Sequence, residues 1–287
     1  MTDRRKGWFA IPAPVSTLFR LVPLHTYDAE ALPVRAPRPS RPLPRLHVFS
    51  VRDEDYENGL SFDPACLMWQ TFLRIARIQV QLVSSSPHAS PDGSLPFLLP
   101  DDKDQKPNIP LTGSAIGRYV RAHVSDSTPS SPPPPQLEPY LALLTHAIHP
   151  AWLYAIFHPS NIPLLTKLYL SQPCATPLPF RLRSLRTALD SSSSSQPHHN
   201  SPDALLADAR RAFAALDTLL AQSDGPWFFG LSSPGLFDAH VFSYTHLILK
   251  PPVHWADDFL LRDCLVGCRR LVAHCDALYA SCYEAVQ

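Results

Sequence analysis

Apolar positions change period twice between Ser61 and Pro100. Trp69, Phe72, Leu73 and Ala76 recur at spacings of three and four, which predicts a helix over 63–77. Its start is marked by Asp63, whose carboxylate accepts from first-turn N–H groups. Pro64 follows, and at the first helical position its missing N–H costs nothing. Residues 79–84 then alternate as a half-buried strand does, and a polar loop leads to Pro96, immediately ahead of a second strand at 97–99. Upstream, 45–51 reads as a strand; downstream, a short fourth strand is expected near 108–111. The stretch from Ser114 to Val120 opens a helix that closes the unit.

The pattern past residue 136 is helical only: 137–157, 162–170, 180–189, 204–221, 236–249 and 256–283. Strand–helix–strand followed by a helical half predicts an α/β domain plus an all-α domain. The order strand, helix, strand, loop, proline, strand resembles the thioredoxin-like N-terminal domain of glutathione transferases. The expected fold is therefore glutathione-transferase-like. The predicted organisation is a Pro-rich basic arm (1–44), a thioredoxin-like domain (45–124), a Pro/Ser-rich linker (125–136) and a helical domain (137–287). A low-complexity loop at 190–202 interrupts the last of these.

Composition sharpens this picture. The 33 prolines, against 9 glycines, gather at 12–44, 129–139 and 173–179 and are nearly absent from the expected helices. That contrast indicates folded segments joined by stiff linkers. The net charge of +0 over 287 residues gives no global case for nucleic acid. Residues 1–45 nevertheless carry eight Lys/Arg against three acids, and Arg4, Arg5 and Lys6 are the arm's candidate membrane or partner contacts. No run of about 18 apolar residues suggests a transmembrane helix. Arg4, Arg5 and Lys6 lead into no apolar signal core, and Pro12, Pro14 and Pro23 would break a matrix-targeting helix.

Of six cysteines none forms C-x-x-C. On one helix, Cys268 and Cys282 would sit about 21 Å apart. The set Cys264, Cys268, Cys275 and Cys282 is therefore expected as part of an apolar stripe with Leu261, Leu265, Leu271, Val272 and Leu278 rather than as a metal site. His198 and His199 read as loop residues.

Glutathione chemistry on this architecture needs three things. The first is a reactive group at the mouth of the first helix. Cys66 is the reactive candidate but falls at the third helical position, inside the first turn; Ser61 stands just ahead of the cap. The second is a proline before the third strand, which Pro96 supplies, although such a proline also builds the fold. The third is an acid–serine pair at the next helix start, where this chain has Thr112-Gly113-Ser114 and no acid. His240 and Tyr244 are one turn apart on an apolar helix, and Asp238 fits the third position of a helix beginning at Gly235, where a carboxylate reaches back to the cap. No Walker loop, G-x-S-x-G, H-E-x-x-H or dinucleotide fingerprint occurs. No catalytic, cofactor-binding or metal residue is expected.

With these residues in view, SFDPACLMWQTFLRIA, SSPHASPDGSLPFLLP, GPWFFGLSSPGLFDAHVFSYTHLIL and the lead-in VPLHTYDAEALPVRAP resemble the metaxin family. Within it they are most similar to the fungal-type thirty-five-kilodalton subunits of the mitochondrial sorting and assembly machinery, the SAM complex. Asp63, Pro64, Cys66, Pro96, Gly235 and Asp238 are the fold-defining motif positions. The resemblance covers about 22–120 and 225–249, and 129–203 departs from it. It implies a non-enzymatic protein without cofactor, peripheral on the cytosolic face of the mitochondrial outer membrane. Its implied partners are the machinery's central β-barrel subunit, a second metaxin-like subunit and β-barrel precursors, whose sorting signal it helps engage for membrane insertion. A glutathione-dependent transferase or thiol reductase using Cys66 is the alternative, and a generic scaffold sharing only the fold is a third.

Overall fold

The computed structural model describes residues 40–50, 59–104, 106–124, 136–170, 176–190, 201–223, 225–250 and 261–284. Arg4, Arg5, Lys6, Cys174, His198, His199 and most of the expected linker lie outside the described residues. The chain from Arg41 onward forms one compact unit. Residues 41–44, assigned to the arm by composition, are tied to this body. The Arg41 backbone N–H donates to Asp102, and the Pro44 carbonyl accepts from Gln81.

The first half runs β1 (Arg45–Val48), α1 (Pro64–Ile75), β2 (Gln81–Ser84), a 3-10 turn (Pro87–Ala89), β3 (Phe97–Leu99), β4 (Leu111–Thr112) and α2 (Ser114–His123). The sheet order is β2-β1-β3-β4. β1 and β2 are parallel, which demands a crossover, and α1 provides it. β3 runs antiparallel to both β1 and β4. Register puts Leu46 opposite Leu82 and Leu98 on one face, and His47 opposite Phe97 on the other. The His47 and Phe97 rings stack at 4.2 Å.

The second half comprises α3 (Leu137–Leu143), α4 (His149–Ile156), α5 (Ile162–Tyr169), α6 (Leu178–Asp190), α7 (Pro202–Ala221), α8 (Leu236–Leu249), α9 (Arg262–Leu265) and α10 (Arg269–Tyr279). Two expected helices prove to be interrupted. Over 137–157 a π-turn at Leu144–Ile148 separates α3 from α4. Pro150 has no N–H to offer the His146 carbonyl four residues earlier and its ring crowds that carbonyl, so the ladder widens there. The expected 256–283 helix breaks at Val266-Gly267-Cys268, where glycine weakens helical order. Both pieces still face inward: Cys264, Cys268, Cys275 and Cys282 are all buried. Among the described residues no group of His, Cys, Asp or Glu is arranged to hold a metal ion.

α8 runs through the core of the unit that begins at Arg41. From Phe237 to Ile248 every residue except His240 is buried, and α8 packs along α1. The C-terminal turn also returns to α1. Tyr283 and Thr71 share a hydroxyl hydrogen bond of 2.8 Å, and Arg74 donates to the Cys282 carbonyl at 3.0 Å while lying 4.3 Å over the Tyr283 ring. Among the described residues no single helix is long and apolar enough to cross a membrane. One bent pair, 137–156 with 159–169, passes on length and composition. Its apolar residues Leu144, Ile148, Trp152, Ile156 and Leu165 are core residues of the folded body.

Candidate ligand site at the start of α1

The first turn of an α-helix presents N–H groups without helical partners, the usual place for a thiolate or another anion, and in α1 Pro64 removes one of them. Here the turn is satisfied from within. The Asp63 carboxylate accepts from the Cys66 N–H at 3.0 Å, and Asp63 is only 4% exposed. Pro64 occupies the first helical position and Cys66 the third. The Cys66 side chain is fully buried, and burial, with the Asp63 charge adding to it, pushes its thiol well above the ordinary value. Burial also raises Asp63, against the opposing pull of the Cys66 and Ala65 N–H groups.

Ser61, the other candidate, is committed. Its hydroxyl donates to the Phe49 carbonyl and accepts from the Asp63 N–H at 3.3 Å. Its own N–H donates to Gln70 at 3.1 Å, and Gln70 in turn donates to the Gly59 carbonyl at 2.9 Å. This web fixes the chain entering α1. It leaves no hydroxyl facing an incoming ligand.

Tyr169, the last residue of α5, closes over this turn. Its hydroxyl points to Asp63 at 3.4 Å, and its ring meets Phe49 and Phe62 edge-on at 4.8 and 4.9 Å. Tyr169 is 8% exposed and Phe62 1%. The helical half therefore contributes an aromatic cover over the Asp63 cap. Sequence reasoning missed it, because nothing near Tyr169 in the chain points to Asp63, 106 residues away.

Pro96 follows a cis peptide bond and is buried just before β3. Gly113 caps α2 with its backbone at φ 47° and ψ −125°, a left-handed region that a residue with a Cβ adopts only under strain. Ser114 beside it is exposed, and its hydroxyl accepts from Arg118 at 3.4 Å.

The second motif builds a different kind of site. Asp238 Oδ2 accepts from the Gly235 N–H at 2.8 Å, the back-reaching half of a capping box at the start of α8, where Gly235 has no side chain to supply the other half. Its Oδ1 accepts from the Phe228 N–H at 3.0 Å and lies 3.0 Å from His274 Nε2 on α10. Asp238 is 1% exposed and His274 2%. The carboxylate thus joins three elements, well beyond the capping role its spacing suggests. A signal for His274 did exist: it lies on the apolar stripe of Leu271, Cys275 and Leu278, where a polar residue demands a buried partner. Tyr244 and His240, further along α8, pair elsewhere. The Tyr244 hydroxyl is 3.0 Å from His149 Nδ1, and the His240 ring stacks over Tyr244 at 6.0 Å.

Comparison with known proteins follows from this geometry. Residues 64–162 match the glutathione S-transferase N-terminal domain, and residues 209–278 the glutathione S-transferase C-terminal domain. The fold is that of the glutathione transferases. Among solved structures, the glutathione S-transferase CsGST63524 of Ceriporiopsis subvermispora, in complex with glutathione, superposes with a TM-score of 0.53 at 14% identity, over 83% of this chain and 97% of that one. A glutathione transferase family member from Pseudomonas fluorescens, with two glutathione bound, gives 0.51 at 12% identity over 83% and 88%. The β-etherase LigF from Sphingobium sp. strain SYK-6 gives 0.50 at 14% over 83% and 95%. No curated protein matches the sequence. In this chain the start of α1 is closed by its own Asp63 cap and by Tyr169, and the start of α2 carries Gly113 and Ser114 without a carboxylate.

Proposed function

We propose that this chain uses the glutathione-transferase fold as a binding scaffold without catalysis. We further propose its place: a peripheral subunit of the sorting and assembly machinery on the cytosolic face of the mitochondrial outer membrane, receiving β-barrel precursors for insertion. The observation that carries the first part is the closure of the α1 start, where the Cys66 thiol is fully buried beneath Tyr169 and held protonated by its surroundings. A thiol in that state is neither accessible nor nucleophilic at neutral pH. The second part is supported by the resemblance of the Ser61–Pro100 and Gly225–Leu249 stretches to metaxins. The proposed partners are the central β-barrel subunit, a second metaxin-like subunit and the precursors.

A glutathione-dependent transferase or thiol reductase remains the second reading, favoured by solved neighbours that hold glutathione. The test of place is a pull-down of tagged chain from mitochondria opened in mild detergent. The expected result is co-isolation of an integral β-barrel protein. Recovery in the cytosolic fraction without a membrane partner would refute it.

A further inference from the structure

β2 lies at a border of the sheet and is paired on one side only. The Gln81 N–H donates to the Pro44 carbonyl at 2.8 Å, and the Ser85 N–H, just past the strand, donates to the Val48 carbonyl at 3.0 Å. Backbone groups alternate along a strand, so Leu82 and Ser84 turn their N–H and C=O the other way. Among the described residues no backbone group meets them there. Proteins usually blunt such an edge with a charge, a proline, a bulge or a very short strand. β2 uses none of these. From Ile78 to Ser86 the chain holds no charged residue and no proline. The strand is as long as β1, and the register between them runs unbroken from Arg45–Gln81 to Val48–Ser84. β4, at the opposite border, is protected: it is two residues long and stands between Pro110 and Gly113. The two faces beside the free edge also differ. Leu82 shares a face with the buried Leu46 and Leu98, whereas Gln81 lies exposed on the other.

We propose that the β2 edge takes up an extended peptide as an added strand. The free N–H and C=O groups of Leu82 and Ser84 pair with the peptide backbone, and that pairing supplies the affinity. Side chains along an added strand point to the two faces in turn. Apolar ones on the Leu82 face continue the layer of Leu46 and Leu98, and polar ones on the Gln81 face stay in water. The occupant that fits is therefore a segment alternating apolar and polar residues, with its own backbone unpaired. Strands of a β-barrel that has not yet closed have that pattern. The inference rests on the proposed role with β-barrel precursors and deepens it by naming the surface that receives them. No charge lies along the edge, so added salt is expected to change binding little.

The test is fluorescence anisotropy of the purified full chain with a labelled peptide of about ten residues alternating valine and threonine. Two further peptides carry N-methyl groups on the amides of the odd or of the even residues. Only one set of amides can face β2. One methylated peptide is therefore expected to bind on the order of tenfold more weakly than the parent, and the other nearly as well. Ser84→Pro removes an outward N–H at a position where an edge strand tolerates proline, and a loss of similar size is expected. Circular dichroism and melting of that variant check its fold, and the methylated pair does not depend on it. Equal effects of the two methylations, or no binding by the wild type, would overturn the proposal. So would a wild-type dimer that Ser84→Pro dissolves, because the edge would then belong to a second copy. Any of these beside a successful pull-down would remove the edge and leave the proposed role standing.

Discussion

Asp238→Ala is expected to remove about 3–5 kcal/mol of stability, the cost of leaving several hydrogen-bond donors without their acceptor at roughly 1–3 kcal/mol each where buried. The carboxylate serves the Gly235 N–H, the Phe228 N–H and His274 Nε2 at once, and Phe228 and His274 are buried, with Gly235 partly so. With alanine, the buried Phe228 N–H and the His274 imidazole are stranded in the core, and the half-buried Gly235 N–H loses its acceptor. Asp238→Asn keeps one carbonyl oxygen but turns an NH2 toward a backbone donor, so about 1–3 kcal/mol is expected. Urea unfolding of the three proteins decides it. An unchanged midpoint for Asp238→Ala would show that the α8 start is held by apolar packing alone.

Acid is expected to destabilise the fold before its carboxylates titrate in bulk. His246 is 3% exposed and sits between the Phe242 and Tyr279 rings, at 5.0 and 5.3 Å. Burial, helped by the Lys250 charge and opposed by Asp276, lowers its pKa from 6.5 to about 4. Below pH 6.5 the unfolded chain takes up a proton that the folded chain refuses until about pH 4. Stability therefore falls with pH across that window, by about 3 kcal/mol in total, and levels off beneath it. His240 is lowered to about 4 as well, by burial and then His149, but its ring is less covered and solvent screening reduces its share. Asp63 works the other way: its pKa is raised in the fold, so protonating it in mild acid favours the folded state and offsets part of the loss. His246→Phe keeps an aromatic ring in the stack and removes the titration. Its stability should be nearly flat between pH 6.5 and 4 where the wild type declines; parallel profiles would contradict the assignment.

The sequence made the local devices readable and hid the long-range ones. Asp63-Pro64 announces the α1 start because cap and first-turn chemistry lie within three residues. The α8 bounds follow from an unbroken apolar run behind Gly235. The interruption at 144–148 lies in a segment whose apolar pattern runs on without a gap, and only Pro150 betrays it. At 266–268 the apolar stripe continues across the break, so periodicity could not find it. Tyr169 over Asp63, His149 on Tyr244 and Tyr283 on Thr71 span 106, 95 and 212 residues. No local rule reaches that far. The Tyr169 contact with Asp63 decides whether the start of α1 is open, so the candidate site was only half legible. Its residues could be named, but its closure required the helical half to be in place.

That closure is most directly tested by alkylating the native protein at neutral pH and following the Cys66 peptide by mass spectrometry, with and without glutathione. A buried, protonated thiol predicts that Cys66 is modified no faster than the protein opens, and that glutathione changes nothing. Rapid modification of Cys66 that glutathione slows would mean an accessible thiolate in a working ligand site, and would return the chain to the transferases in activity as well as in fold.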